Sequence, residues 1–188
     1  MKRVFVTTVC LCLMLLCGTQ AKAQLSPTTH LEQWKYAFSE EGRQNWKPEF
    51  TARAYGGFYE SGVAISAGVR IDNRRTLGIL VAKAEMGSAS SDTEYFTKIM
   101  ATYRRYYHIG KRERFAFYSD LNFGVGNVNN VERGPMADAE EYHSKPGDWG
   151  PMLEWQPGIR LRLIGNSHIS LGPSLSPTHF GLHIGVGF

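Results

Sequence analysis

Three histidines, His168, His179 and His183, stand on the last two alternating stretches of the chain. Imidazoles on neighbouring strands have the ligand chemistry of a zinc site. The sequence fixes no carboxylate beside them, so hydrogen bonding within a polar core is the preferred reading, and no metal site is assigned. His168-Ile-Ser170 also sets an imidazole two residues from a hydroxyl on one strand face. A serine nucleophile needs an adjacent, oriented base, and this spacing alone does not supply one. The larger chemical signal is charge. Arg53, Arg70, Asp72, Lys83, Glu85, Glu94, Lys98, Arg104, Asp120, Glu154, Arg160 and Arg162 are read as facing away from the large apolar residues beside them. Charges taken out of water must be paired and hydrogen-bonded. The expected cluster is therefore Arg53, Arg70, Lys98, Arg104, Asp120, Glu154, Arg160, Arg162, His168, His179 and His183, an ion-paired interior with no catalytic role and no cofactor.

Such a cluster needs strands to hold it. Thr178 to Phe188 alternates Phe180, Leu182, Ile184, Val186 and Phe188 with His179, Gly181, His183, Gly185 and Gly187. A period of two makes one face of a β-strand apolar and the other polar or small. Seven earlier stretches repeat the pattern from Pro48 onward. Phe50, Ala52, Ala54 and Phe58 form one face of the first, which a Ser61-Gly62 connection joins to Val63 through Ile71. In the third, Thr76 to Met86, Leu77, Ile79 and Val81 favour one parity and Leu80, Ala82, Ala84 and Met86 the other, and a bulge near Leu80 would reconcile them. Thr93 to Ile109, then Phe115 to Val125, Leu153 to Leu163 and Ile169 to Leu175, complete the set. Turns fall at Asn73-Arg74, Gly110 to Glu113 and Gly165-Asn166, while Asn127 to Gly150 is the longest irregular stretch. Its Glu132, Asp138, Glu140, Glu141 and Asp148 against Arg133 and Lys145 give a net charge of about −3. It lacks the ligand spacing of an EF-hand loop.

Ahead of the strands the character differs. Lys2 and Arg3, the apolar run Val4 to Cys17, and Ala21-Lys22-Ala23 have the order of a secretory signal, with cleavage expected near Ala23. A lipoprotein reading of Cys17 meets Leu16 where a small residue is required. Cys10, Cys12 and Cys17 all leave with the signal, so no thiol chemistry is expected afterwards. Removing Lys2, Arg3 and Lys22 leaves 18 of 21 basic residues against 17 acids, a balance that gives no support to a nucleic-acid partner. Residues 24–47 read as a short amphipathic helix, with Thr29-x-x-Glu32 as a capping box and Leu31, Trp34, Ala37 and Phe38 on one stripe. Gly42 is its expected end. A stub on a periplasmic rim is preferred to an interfacial anchor.

Eight strands of about ten residues, even in number and joined as hairpins, suit a closed antiparallel barrel crossing a membrane. Short turns on one side and longer loops on the other strengthen that expectation. Aromatic residues tend toward the strand ends, as membrane girdles do. A soluble lipocalin-like barrel uses the same alternation with its faces exchanged, and stays as the alternative.

Glu94 to Phe188 resembles the small outer-membrane β-barrels of Gram-negative bacteria, the OmpX-like and OmpA-barrel-like proteins. The likeness is carried by Tyr103-Arg-Arg-Tyr-Tyr107, Phe115-Ala-Phe-Tyr118, Phe123-Gly-Val-Gly126, Pro157-Gly158-Ile159 and Phe180 to Phe188. It implies an all-β, eight-stranded antiparallel up-and-down transmembrane barrel over residues 48–188. It also implies recognition of the terminal aromatic strand by the barrel-assembly machinery, and contact with outer-membrane lipid including lipopolysaccharide. Trp34-x-x-x-Phe38-x-Glu40, continuing through Gln44 and Trp46 to Pro48-Glu49, is similar to the helix before the barrel of the PagP-type lipid A palmitoyltransferases. That family carries a His in its first strand and an Asp-Ser pair in a later outer loop. This chain has no His between Phe50 and Tyr59, and its nearest pair is Ser91-Asp92 in reverse order. His168-Ile-Ser170 is similar to the His-x-Ser of outer-membrane lipid A deacylases, yet it lies beside an expected periplasmic turn and faces inward. The expectation is thus a monomeric barrel, structural or interacting through its extracellular loops, chiefly 127–150. A lipid A-modifying acyltransferase or deacylase is the alternative.

Overall fold

Eight antiparallel strands hydrogen-bond in chain order, and the last pairs with the first to close a barrel. A computed structural model describes residues 27–72, 74–87, 93–108, 114–132, 145–177 and 180–188. The strands are β1 (Lys47–Phe58), β2 (Glu60–Arg70), β3 (Arg75–Met86), β4 (Thr93–His108), β5 (Phe115–Glu132), β6 (Trp149–Arg162), β7 (His168–Leu175) and β8 (Phe180–Gly187). Closure runs from Thr51 opposite Gly187 to Phe58 opposite Phe180. Beyond it, Phe50 and Phe188 exchange two backbone bonds, Phe50 N to Phe188 O at 3.2 Å and Phe188 N to Phe50 O at 3.0 Å. No sheet edge is left open along this seam.

The barrel is apolar outside and polar inside. Ile65 is 66% exposed, Phe123 57% and Leu182 62%, and similar residues line the outer face of every strand. Asp120, Asn122, Glu154, Gln156, His168 and His183 are buried within. Alternation on β5, β6, β7 and β8 follows the expected parity.

Four local expectations are corrected. β3 contains no bulge: it pairs with β2 and β4 in unbroken register from Arg75 to Met86. Both its faces are apolar, so Leu80, Ala82 and Ala84 point into the lumen while Lys83 and Glu85 point out. There they pack with Tyr55, Ala64, Phe96 and Met100 as an apolar layer inside the barrel. The ladder irregularity falls instead between Tyr95 and Phe96, where β5 carries one extra residue, Asn129. The β1–β2 hairpin turns at Tyr59 and not at Ser61-Gly62, with Gly56 opposite Ser61. Tyr59 takes φ 72°, an uncommon state for a bulky residue, and its carbonyl accepts from Gly87 N at 2.9 Å. Finally, residues 127–132 and 149–150 of the expected long loop are strand, paired through Thr93 opposite Glu132 and Asn127 opposite Trp149.

The β6–β7 seam differs from the others. Its pairing runs from Arg162 opposite His168 to Ile159 opposite Leu171, then resumes only at Trp155 opposite Leu175. Pro157 and Pro173 lie in the gap, and neither has an N–H to give the ladder.

The described residues up to Gln44 and those from Asn45 onward form separate compact units. In the first, the expected single helix is two: α1 (Pro27–Ala37) and α2 (Glu40–Gln44). Ser39 makes the break. Its Oγ donates to Tyr36 O at 2.7 Å and accepts from Gly42 N at 3.1 Å, capping α2. Gly42 therefore lies inside α2 and not at the end of the first helix. Trp34 and Phe38 stack at 5.9 Å. No helix among the described residues is long and apolar enough to cross a membrane. The expected signal segment 1–23 lies outside the described residues.

Candidate functional site

The chemistry-bearing side chains gather inside the barrel. For orientation, the short-turn end carries the starts of β1, β3, β5 and β7, and the long-loop end carries their finishes. At the short-turn end, Glu49 enters the lumen from the start of β1. Its carboxylate accepts from Arg70 Nε and Nη2 at 3.1 and 2.6 Å, Arg104 Nη1 at 2.7 Å, Tyr106 Oη at 2.5 Å and Thr76 Oγ1 at 3.2 Å. Arg104 continues to Asp120 through two parallel bonds, Nε to Oδ1 at 2.6 Å and Nη2 to Oδ2 at 2.7 Å. This is the fork geometry that suits guanidinium to carboxylate.

Asp120 also pairs with Arg53, whose Nη1 lies 2.7 Å from Oδ2. The same Nη1 donates to Gln156 Oε1 at 2.5 Å. Gln156 Nε2 then donates to Glu154 Oε2 and Ser174 Oγ, each at 3.2 Å. Toward the long-loop end, Lys98 bridges Glu154 and Glu60. One connected path thus runs Arg70, Glu49, Arg104, Asp120, Arg53, Gln156, Glu154, Lys98, Glu60. Its four cations and four anions alternate in sign throughout, with the neutral Gln156 set between Arg53 and Glu154, and each buried charge meets an opposite one.

Of the three histidines expected in the cluster, the two that are described play different parts. His183 Nδ1 donates to the Pro173 carbonyl at 3.1 Å, which leaves Nε2 to accept from Tyr118 Oη at 2.5 Å. His168 Nδ1 lies 3.4 Å from the Asn166 carbonyl, and its Nε2 is buried without a partner. Among the described residues no three of the His, Cys, Asp and Glu side chains gather as metal ligands. Ser170 is buried on the lumen face with His168, so this pair faces away from the outer wall.

Placement of the expected cluster is as follows. Arg53, Lys98, Arg104, Asp120, Glu154, His168 and His183 are buried in the lumen, and Arg70 and Arg160 are half-buried there. Arg162 is a correction: it is exposed at the end of β6, where the strand runs out of the barrel and its Nε donates to Gly165 O at 2.7 Å. Lys83 and Glu85 are likewise outside, Ser61 Oγ donating to Glu85 at 2.8 Å. His179 lies outside the described residues. Glu49, Glu60, Tyr106 and Gln156 were missing from the expected cluster. The parity of Glu49, Thr51 and Arg53 marks the first of these, and that of Arg104 and Tyr106 marks the third, Tyr106.

No family model matches the chain, and no curated protein does. Solved structures do resemble it, two of them outer-surface β-barrels. Neisserial surface protein A is 15% identical, over 76% of this chain and 95% of its own, with a TM-score of 0.48. The N-terminal β-barrel domain of Pseudomonas aeruginosa OprF is 16% identical, over 76% and 94%, with a TM-score of 0.42. The likeness is one of fold.

Proposed function

We propose that this chain is a small, monomeric outer-membrane β-barrel of a Gram-negative bacterium, with a plugged polar lumen and a structural or interaction role exerted through its outer loops. The observation that carries this reading is the assignment of faces. On the same strands, large apolar side chains point out and ion pairs point in. A soluble lipocalin-like barrel reverses those faces, because its apolar side must leave water. A lipid-facing wall needs no such burial, and closure leaves no backbone group unpaired at an edge. An eight-stranded barrel has an interior that side chains can fill, and here the alternating charges fill it.

In this reading the chain is exported by a signal cleaved near Ala23, and the strand ending at Phe188 is presented to the assembly machinery. Its short-turn end is periplasmic. The long-loop end meets lipopolysaccharide and any partner, chiefly through residues 127–150. The length of β4 and β5, 16 and 18 residues against 8 in β7 and β8, supports a wall that rises higher on that side. The test is membrane fractionation with gel migration before and after heating. Recovery in the membrane fraction and a heat-dependent shift are expected. Recovery in the aqueous fraction contradicts the reading. Mass spectrometry of lipid A with and without expression addresses the enzymatic alternative, and an added or lost acyl chain would replace the structural role.

A further inference from the structure

A cavity of about 310 Å³ opens at the long-loop end of the barrel, where Tyr59, Glu60, Ser61, Glu85, Thr93 and Tyr95 line it. That volume is at the small end of the range for ligand pockets, roughly 300–1,000 Å³. Strand register sets three of these residues side by side on the outer face, Ser61 opposite Glu85 and Glu85 opposite Tyr95. Directly opposed Cβ atoms lie roughly 4.5–5.5 Å apart, so hydroxyl, carboxylate and phenol share one patch. Tyr59 bounds it from the β1–β2 turn, which its carbonyl ties to the end of β3 through Gly87 N at 2.9 Å. Ile65, Val81 and Ile99 form a row of the apolar wall, Val63, Lys83 and Thr97 the next, and Ser61, Glu85 and Tyr95 the one beyond. The cavity thus stands clear of the apolar band.

The second observation is electrostatic. The lumen path ends at this cavity on an anion, since its last member, Glu60, is buried and lines the space. Glu60 pairs with Lys98, which also serves Glu154, so one cation answers two carboxylates. Glu85 has no ion pair among the described residues, and its carboxylate accepts from Ser61 Oγ at 2.8 Å. A third carboxylate reaches the rim through Tyr95, whose Oη donates to Glu132 Oε2 at 3.2 Å. No lysine or arginine is among the described residues that line the cavity. Its charge therefore suits a cation. A bare metal ion is a poor fit, because no three carboxylate or imidazole side chains converge among the described residues. A primary ammonium fits better. It has three N–H donors for the Glu85 carboxylate and the Ser61 and Thr93 hydroxyls, and tyrosine rings attract its charge. A quaternary ammonium has no N–H for these acceptors.

We propose that this cavity binds a small organic molecule through its primary ammonium group, with Glu85 as the charged acceptor and Tyr59 and Tyr95 beside it. A soluble amine and the headgroup of an amine-bearing lipid share this chemistry. The site rests on the cavity and its charges, and stands whether or not the outer wall meets a bilayer.

The test uses the folded full chain in maltoside micelles, which contain no amine. Calorimetric titration with putrescine, a diamine, is expected to saturate, with tetramethylammonium at least about tenfold weaker, the worth of one good hydrogen bond to a charged group. Glu85→Gln keeps the shape, removes the charge and lowers putrescine affinity about tenfold or more. Tyr95→Leu lowers it about two- to fivefold. Glu32→Gln, in the helical segment, leaves it unchanged. Glu85 is exposed, so its variant keeps the fold, and circular dichroism checks every variant. A parallel arm adds phosphatidylethanolamine, a primary amine, or phosphatidylcholine, a quaternary one, and reads the retained lipid by native mass spectrometry. Retention of phosphatidylethanolamine alone, lost in Glu85→Gln, assigns the source to lipid and supports the site. Equal binding of tetramethylammonium, tighter binding of magnesium than of putrescine, unchanged affinity in Glu85→Gln, or no saturable binding from either source would each overturn it.

Discussion

Arg104 and Asp120 face each other across the β4–β5 pair and meet through two bonds, at 2.6 and 2.7 Å, with both side chains buried. Asp120 is also the partner of Arg53 from β1. One carboxylate therefore ties strands on opposite sides of the lumen. Asp120→Ala leaves two buried guanidinium groups without their shared partner, and a loss of about 3–5 kcal/mol is expected. Urea unfolding of the variant in micelles, followed by tryptophan fluorescence, measures it. Replacing the Arg104 and Asp120 pair together with apolar residues costs less than the single change, since no charge is then stranded.

The outer wall makes a prediction of opposite kind. Ile65→Arg and Leu182→Arg change exposed positions, which in water would cost within about 0.5 kcal/mol. Against a bilayer each costs about 2–4 kcal/mol near the midplane. Unfolding equilibria from lipid vesicles distinguish the two values.

Most of this architecture was legible along the chain, for a physical reason. A strand's parity needs only its own residues, so β5 through β8 could be read one at a time. The misreadings fall where parity carries no contrast or where partners are remote. Both faces of β3 are apolar, which left Leu80, Ala82 and Ala84 without a visible direction. Glu49 sits two residues before Thr51 at the start of β1, and its main partners, Arg104 and Tyr106, are 55 and 57 residues away. Only closure of the barrel brings them together. Glu60 lies just past the Tyr59 turn, where the sequence placed a connection one or two residues later.

The tight approach of strands gives a third prediction. A Cβ on Gly124 would meet the Ile99 carbonyl and lie 2.6 Å from Met100 Cα, whereas one on Gly150 would meet nothing within 4 Å. Gly124→Ala is expected to destabilise by about 1–3 kcal/mol through overpacking. Gly150→Ala is expected to be near neutral. Chemical denaturation of both variants side by side checks the contrast.

The gap in the β6–β7 ladder gives a fourth. Two prolines oppose each other there, so fewer bonds must break for the strands to part locally. Amides of Gly158, Gly172 and Ser174 are expected to exchange with deuterium faster than those of Ala101, Thr102 and Leu121 in the continuous β4–β5 ladder. Uniform protection around the barrel would show that the seam is as strong as its neighbours.

The central claim is that the apolar face of these strands meets lipid while the charged face lines the lumen. From Gln24 onward the chain has no cysteine, so single cysteines at Ile65, Phe123 and Leu182, and at the inward Asn122 and Ser174, can each carry a unique spin label. Collision rates with oxygen and with a water-soluble nickel complex, measured in lipid vesicles, report the surroundings of each label. The account predicts high oxygen and low nickel accessibility at Ile65, Phe123 and Leu182, and low accessibility to both at Asn122 and Ser174. High nickel accessibility at the three outer positions would contradict it.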